Sequence, residues 1–229
     1  MIPFPLLVGT ALAHKPTLGS GFGSAESAHQ VVDPNISIVV YQQLTCEQEQ
    51  LWLRYNAEES FELFVQLGVP VIDRLENYAP SVALLHPGLP PVELPFELPD
   101  GLEGIGGLVF DAGESSDFNE PFTQTDSWIM VEERIVLPQS GTGYVVAWNP
   151  TGLTGKLWLA TGEVEDFSDV SVEEFIGWME VVNNFHETGQ YEMPPVIVEE
   201  DCAVVPSEEK SGCAAFSLLM LLPLIRRFK

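Results

Sequence analysis

Basic residues are the scarcest class in this chain: nine Lys and Arg stand against 34 Asp and Glu, a formal net charge of −25 over 229 residues. Such an imbalance repels phosphate backbones and anionic headgroups wherever salt does not screen them, which excludes nucleic acid as a partner. Cysteine is rare too, with only Cys46, Cys202 and Cys213, and no Cys-x-x-Cys pair or adjoining His completes a thiolate metal site. A nucleophile elbow, a Walker loop, a zinc-protease motif and the His-x-Glu arrangement of deaminases are all missing. Gly104-Ile-Gly-Gly107 lacks the helix and spacing of a dinucleotide site and reads as a turn entering a strand. Glu132 and Glu133 are adjacent on an extended stretch, so they face opposite ways and cannot act together on one glycosidic bond. No internal repeat is present.

What is there is a β-rich chain, 45% hydrophobic, long enough for one sizeable core. Residues 126–162 carry the clearest pattern. Residues 128–137, 144–148 and 156–161 are rich in β-branched and aromatic side chains. Pro138, the Ser-Gly-Thr-Gly run 140–143, the Asn-Pro-Thr-Gly turn 149–152 and Gly155 separate them. The economical reading is a meander of three antiparallel strands. Further strands are expected at 36–45, 50–55, 61–67, 69–72, 81–85 and 108–110. In 61–67 the alternation of Phe61, Leu63, Val65 and Leu67 with Glu62 and Gln66 describes a half-buried strand. Residues 15–30 read as a loop or a loosely held first strand. The prolines at 87, 90, 91, 95 and 99 force a surface excursion, and residues 111–120 form an acidic loop. Ser171-Val-Glu-Glu174 is a capping box, and Val172, Phe175, Ile176, Met179 and Val182 recur at helical spacing, which predicts a helix over 172–186 with its Phe175–Met179 face on the sheet. His186 falls on that same face near the helix end, where a charged imidazole suits the helix dipole. The expected fold is an antiparallel β-sandwich, jelly-roll-like, over residues 14–190, followed by an acidic Pro/Glu linker, 191–210.

Both ends carry targeting patterns. Residues 1–13, MIPFPLLVGTALA, are apolar and close on Ala-Leu-Ala, the small-x-small rule of cleavage by the export signal peptidase after Ala13. At the other end, residues 211–229 combine Ser211-Gly212-Cys213, an apolar run over 214–225 and the basic pair Arg226-Arg227. That run would measure about 18 Å as a helix, short of the roughly 30 Å needed to span a bilayer. The pattern resembles the cysteine-containing C-terminal sorting tails of myxobacterial-type surface proteins. The resemblance implies processing near Cys213 by a surface-sorting protease, with the basic residues left on the cytoplasmic side. An exported chain meets an oxidising compartment, so Cys46 and Cys202 are expected to pair.

Three functions follow as expectations. The leading one is a non-catalytic binding or structural role at the cell surface or in the periplasm. A second is copper binding. Cleavage after Ala13 makes His14 the first residue, and its amino group and Nδ1 form a chelate suited to Cu(II). This resembles the N-terminal histidine of copper carriers and lytic polysaccharide monooxygenases. The second ligand would come from His29, His86 or His186, with His186 preferred. The third is a calcium-dependent carbohydrate-binding module. Its cation would use Glu114, Asp117 and Asn119 or the run Glu163, Glu165, Asp166 and Asp169, and Trp52, Trp148 or Trp158 would stack on sugar.

Overall fold

The computed structural model describes residues 14–191 apart from Glu103; the expected signal segment, Cys202, Cys213 and the C-terminal tail lie outside them. Two sheets face each other. The first contains β1 (Lys15–Leu18), β3 (Ile38–Leu44), β11 (Gly155–Thr161), β5 (Glu62–Pro70), β9 (Thr125–Val136) and β8 (Ser116–Glu120), in that spatial order. The second contains β2 (His29–Gln30), β4 (Gln50–Ala57), β10 (Gly141–Trp148), β6 (Ser81–His86) and β7 (Gly106–Phe110). The β-sandwich is therefore as expected, although β1 joins β3 and β2 joins β4 in parallel, so both sheets are mixed.

The three strands of residues 126–162 form, but not as a meander. β9 pairs with β5 and β8, β10 with β4 and β6, and β11 with β3 and β5. Each connection crosses from one sheet to the other. Residues 137–140 and 149–154 are longer than a two-residue hairpin turn, and buried Leu137 fills the gap between layers that stand about 10 Å apart.

Inward-facing Leu51, Leu53, Leu63, Val65, Leu67, Leu84, Val145, Leu157 and Leu159 fill the space between the sheets. Both outer faces are covered as well. Helix α1 (Val172–Phe185) lies over Val39, Tyr41, Ile129, Trp158 and Ala160 on the first sheet. On the second, the proline-rich excursion works as a strap, laying Val92, Leu94, Phe96, Leu98, Leu102 and Ile105 over Trp52, Tyr144, Val146 and Trp148. Double cover explains why β6, β10 and β11 read as nearly continuous apolar runs. It also corrects the half-buried reading of residues 61–67. β5 is buried from Leu63 to Pro70, with Phe64 beneath the Arg134 guanidinium and Gln66 donating to Glu132 at 2.7 Å. Residues 69–72 are not a separate strand, since β5 runs through Val69 and Pro70.

Helix α1 begins with the expected capping box: Glu174 N–H donates to Ser171 Oγ, and Ser171 N–H to the Glu174 carboxylate. Its docking face differs from the expected one. Val172 and Ile176 are solvent-exposed, and Phe175 rests against Phe122 and Phe167 rather than on the main sheet. The buried contact comes from Val182 and Phe185 in the last turns. There Lys156 donates to the Phe185 carbonyl at 2.8 Å and to Glu187 at 2.7 Å, supplying the cation that the helix C terminus itself lacks.

Candidate functional site

His14 and His186, far apart in sequence, line one small crevice under α1, together with Tyr41, Glu120, Ser127 and Trp158. His14 comes there because β1 runs parallel to β3, which sets its ring against the Ser37 hydroxyl. His186 comes there as the helix C-cap. Its Nδ1 lies 2.8 Å from the Val182 carbonyl, which can only accept, so Nδ1 carries the proton. Nε2 then accepts from the Ser127 hydroxyl at 3.1 Å, and the Trp158 indole N–H donates to that same hydroxyl at 3.0 Å. The result is a closed chain from Trp158 through Ser127 and His186 to the helix backbone. Burial lowers the pKa of His186 to about 4, with Lys156 adding to the effect against the Val182 bond and Asp126. The imidazole is thus neutral at pH 7, so the favourable dipole interaction open to a charged imidazole at this helix end is not used.

This arrangement bears directly on the copper chelate. Both His186 nitrogens are occupied by hydrogen bonds, and His14 Nδ1, the chelating atom, faces Ser37. Glu120 is held by the Phe122 and Thr123 amides and the Thr123 hydroxyl. The crevice measures about 10 Å³, room for about one water. Burial also lowers His14 to a pKa of about 4. A Cu(II) chelate here forms only if the Ser37 contact opens. His86 lies in the core instead, stacked on Tyr55 with ring centroids 5.6 Å apart and bonded to the Tyr55 hydroxyl and the Gln139 carbonyl. His29 packs on Phe22.

Four of the seven calcium candidates are engaged with other partners. Asn119 donates to Asp126, Glu163 accepts from Arg134, Asp166 from Ser168 and Asp169 from Lys15. Among the described residues no group of three or more His, Cys, Asp or Glu side chains is placed to hold a metal ion. The acidic loop also contains β8, whose Phe118 packs toward Trp158. The stacking platform expected of Trp52, Trp148 and Trp158 is absent. All three are at most 6% exposed, because the strap and α1 cover the faces that carry them.

A larger concavity among the described residues was not foreseen. A groove of about 330 Å³ opens at the end of the sandwich where β3, β4 and β10 meet. Thr45 and Glu49 of the β3–β4 turn, Pro95 and Phe96 of the strap, Trp148, and residues 149–154 line it. Its walls come from three distant loops, each polar or proline-rich, so no local pattern announces it. Cys46 stands in the same β3–β4 turn; Cys202, its expected partner, lies outside the described residues.

The class of protein that this fold defines is a two-sheet β-sandwich with one docked helix. The sequence matches no known protein family and no curated protein. Among solved structures it is similar to the pre-peptidase C-terminal domain of a collagenase from Bacillus anthracis, at 7% identity and a TM-score of 0.33, covering 58% of this chain and 93% of that one. It is similar too to PliG of Aeromonas hydrophila, a periplasmic inhibitor of g-type lysozyme, at 14% identity and a TM-score of 0.31, covering 66% and 98%. Scores this low carry no argument about what the chain does.

Proposed function

We propose that this chain is an exported, non-catalytic binding or structural module, an acidic β-sandwich handed to the cell surface through its C-terminal tail. The observation that carries this reading is the fit between the fold and the expected cleavage. β1 starts at Lys15, so a cut after Ala13 removes no strand residue and leaves His14 beside Ser37. The distribution of charge agrees. Lys15, Arg74, Arg134 and Lys156 are all engaged with carboxylates, which leaves a predominantly anionic surface, suited to a salt-rich exterior. Among the described residues no helix is long and apolar enough to cross a membrane; attachment is assigned to the tail on its sequence pattern alone, Cys213, the apolar run and Arg226-Arg227. The partners are then the export signal peptidase and a surface-sorting protease acting near Cys213.

Fractionation of producing cells tests this. Wild-type chain, processed to begin at His14 and end near Cys213, is expected at the surface, accessible to added protease, and Cys213→Ala is expected to accumulate unsorted in the membrane fraction. If both forms stay in the soluble cytoplasm, the reading fails.

A further inference from the structure

We propose that the groove at the β3–β4 end binds a short extended peptide segment of a partner protein carrying a lysine or arginine, with Glu49 taking the positive charge and the Trp148 indole N–H donating to a backbone carbonyl of the segment. The proposal rests on the binding-module reading for its setting and adds to it the chemistry of the partner.

Charge selects the sign of the ligand. Glu49 is the only charged side chain among the described residues that line the groove. It is exposed, and none of the ion pairs among the described residues uses it. Glu47 stands beside it in the same turn, and Glu93 and Glu97 flank Pro95 and Phe96 in the strap. No Lys or Arg occurs in residues 43–53, 75–133 or 145–155, the stretches that supply the walls. An organic acid, a phosphate or a nucleotide is therefore repelled, and a cation is drawn in.

The walls select the body behind that charge. Phe96 is wedged edge-on between Trp52 and Trp148, with ring centroids 5.9 and 5.3 Å away. With Pro95, Pro150 and Leu153 it makes part of the lining apolar. The polar part is braced in advance: Trp52 donates to Gln50 Oε1 at 2.7 Å, Thr45 and Gln48 exchange backbone hydrogen bonds, and Asn149 Oδ1 accepts from both the N–H and the hydroxyl of Thr151. A long basic side chain matches this lining, because it brings an alkyl stem for the apolar wall and a charged head for Glu49. At about 330 Å³ the groove stands at the lower end of the roughly 300–1,000 Å³ of ligand sites, which fits a short segment.

A buried donor selects the rest. Trp148 is 6% exposed and lines the groove, and its indole N–H is buried with no hydrogen-bond partner. An indole N–H only donates, and a peptide carbonyl is the acceptor that travels with a basic side chain. A small shift of the half-buried Phe96 ring opens this donor to the groove. A polyamine, which has no carbonyl, satisfies Glu49 and leaves the indole unpaired.

Titration of the purified full-length chain with N-acetyl-arginyl-leucinamide, followed through the tryptophan indole signals in proton–nitrogen NMR spectra, is the test. The Trp148 signal, assigned as the one missing from Trp148→Phe, is expected to move on binding while the Trp158 signal stays in place. Glu49→Gln is expected to weaken binding about fivefold, and Trp148→Phe about two- to tenfold. Unmoved positions of the other indole signals show that both variants are folded. The citrulline analogue of the peptide, of the same shape without the charge, should bind to the wild-type chain as weakly as the arginine peptide binds to Glu49→Gln. No saturable binding at roughly 10 mM peptide overturns the proposal. So does binding that Glu49→Gln leaves unchanged, which marks diffuse attraction to the anionic surface only. If spermidine moves the Trp148 signal as the peptide does, the carbonyl contact is overturned. Each of these failures leaves export and sorting, measured in cells by fractionation, unaffected.

Discussion

Replacing Trp158 by alanine is expected to cost roughly 3–5 kcal/mol and to lower the melting temperature by roughly 6–20 °C. The indole is 3% exposed and lies between the first sheet and α1, contacting Phe118. Its position is fixed by Gly68 on the neighbouring strand, where a β-carbon would fall inside the indole ring. That glycine coincides with the register shift between Leu67 and Gly68, so the bulge and the tryptophan form one unit. Truncation leaves a large void above Gly68 and strips Ser127 of the donor that orients its hydroxyl toward His186. Trp158→Phe should recover much of the packing but not the hydrogen bond, and so fall between wild type and alanine. Thermal unfolding followed by far-UV circular dichroism measures all three. A loss below about 1 kcal/mol for Trp158→Ala would mean that the helix does not depend on this contact.

Acidification is expected to release the helix before the sandwich unfolds. His186 is held neutral in the fold, with its pKa lowered to about 4 by burial, whereas the unfolded chain takes up its proton near 6.5. A group whose folded pKa lies below its unfolded value stabilises the fold fully above about pH 6.5. That contribution is lost as pH falls toward about 4. For His186 the loss by pH 4.5 is about 2–3 kcal/mol. Glu187 acts in the same direction at lower pH. Burial alone would raise its pKa, but its bonds to Arg74 and Lys156 outweigh that and lower it, so its stabilising contribution also disappears in acid. Urea titrations at pH 7.5 and 4.5 should show a midpoint drop that shrinks in His186→Gln, which has no proton to take up. An identical pH dependence in the variant would remove His186 as the cause.

Much of this architecture was legible in the sequence because it is written locally. β-branched and aromatic runs bounded by Pro and Gly placed β9, β10 and β11, and the Ser171 and Glu174 pair placed the start of α1. Pairing is not local. Nothing near Pro138 or Asn149 shows that β9 seeks β5 and β10 seeks β4, so the meander was the simpler and incorrect choice. β8 escaped notice since Ser-Asp-Phe-Asn-Glu is an edge strand with a single apolar side chain. The helix face was misjudged because Val172 and Ile176 keep helical spacing while the first turns overhang the sheet edge. The approach of His14 to His186 could not be read from spacing. It depends on a parallel strand pair and a helix end converging from opposite termini of the domain.

The most direct test of the exported, surface-sorted reading is the intact mass of the protein isolated from the cells that make it. A chain beginning at His14 and ending near Cys213 is the expected result, since a cut after Ala13 spares β1 and the processing point lies well beyond α1. A full-length mass, with Met1 and the terminal Arg226-Arg227 still present in soluble protein from the cytoplasm, would contradict it.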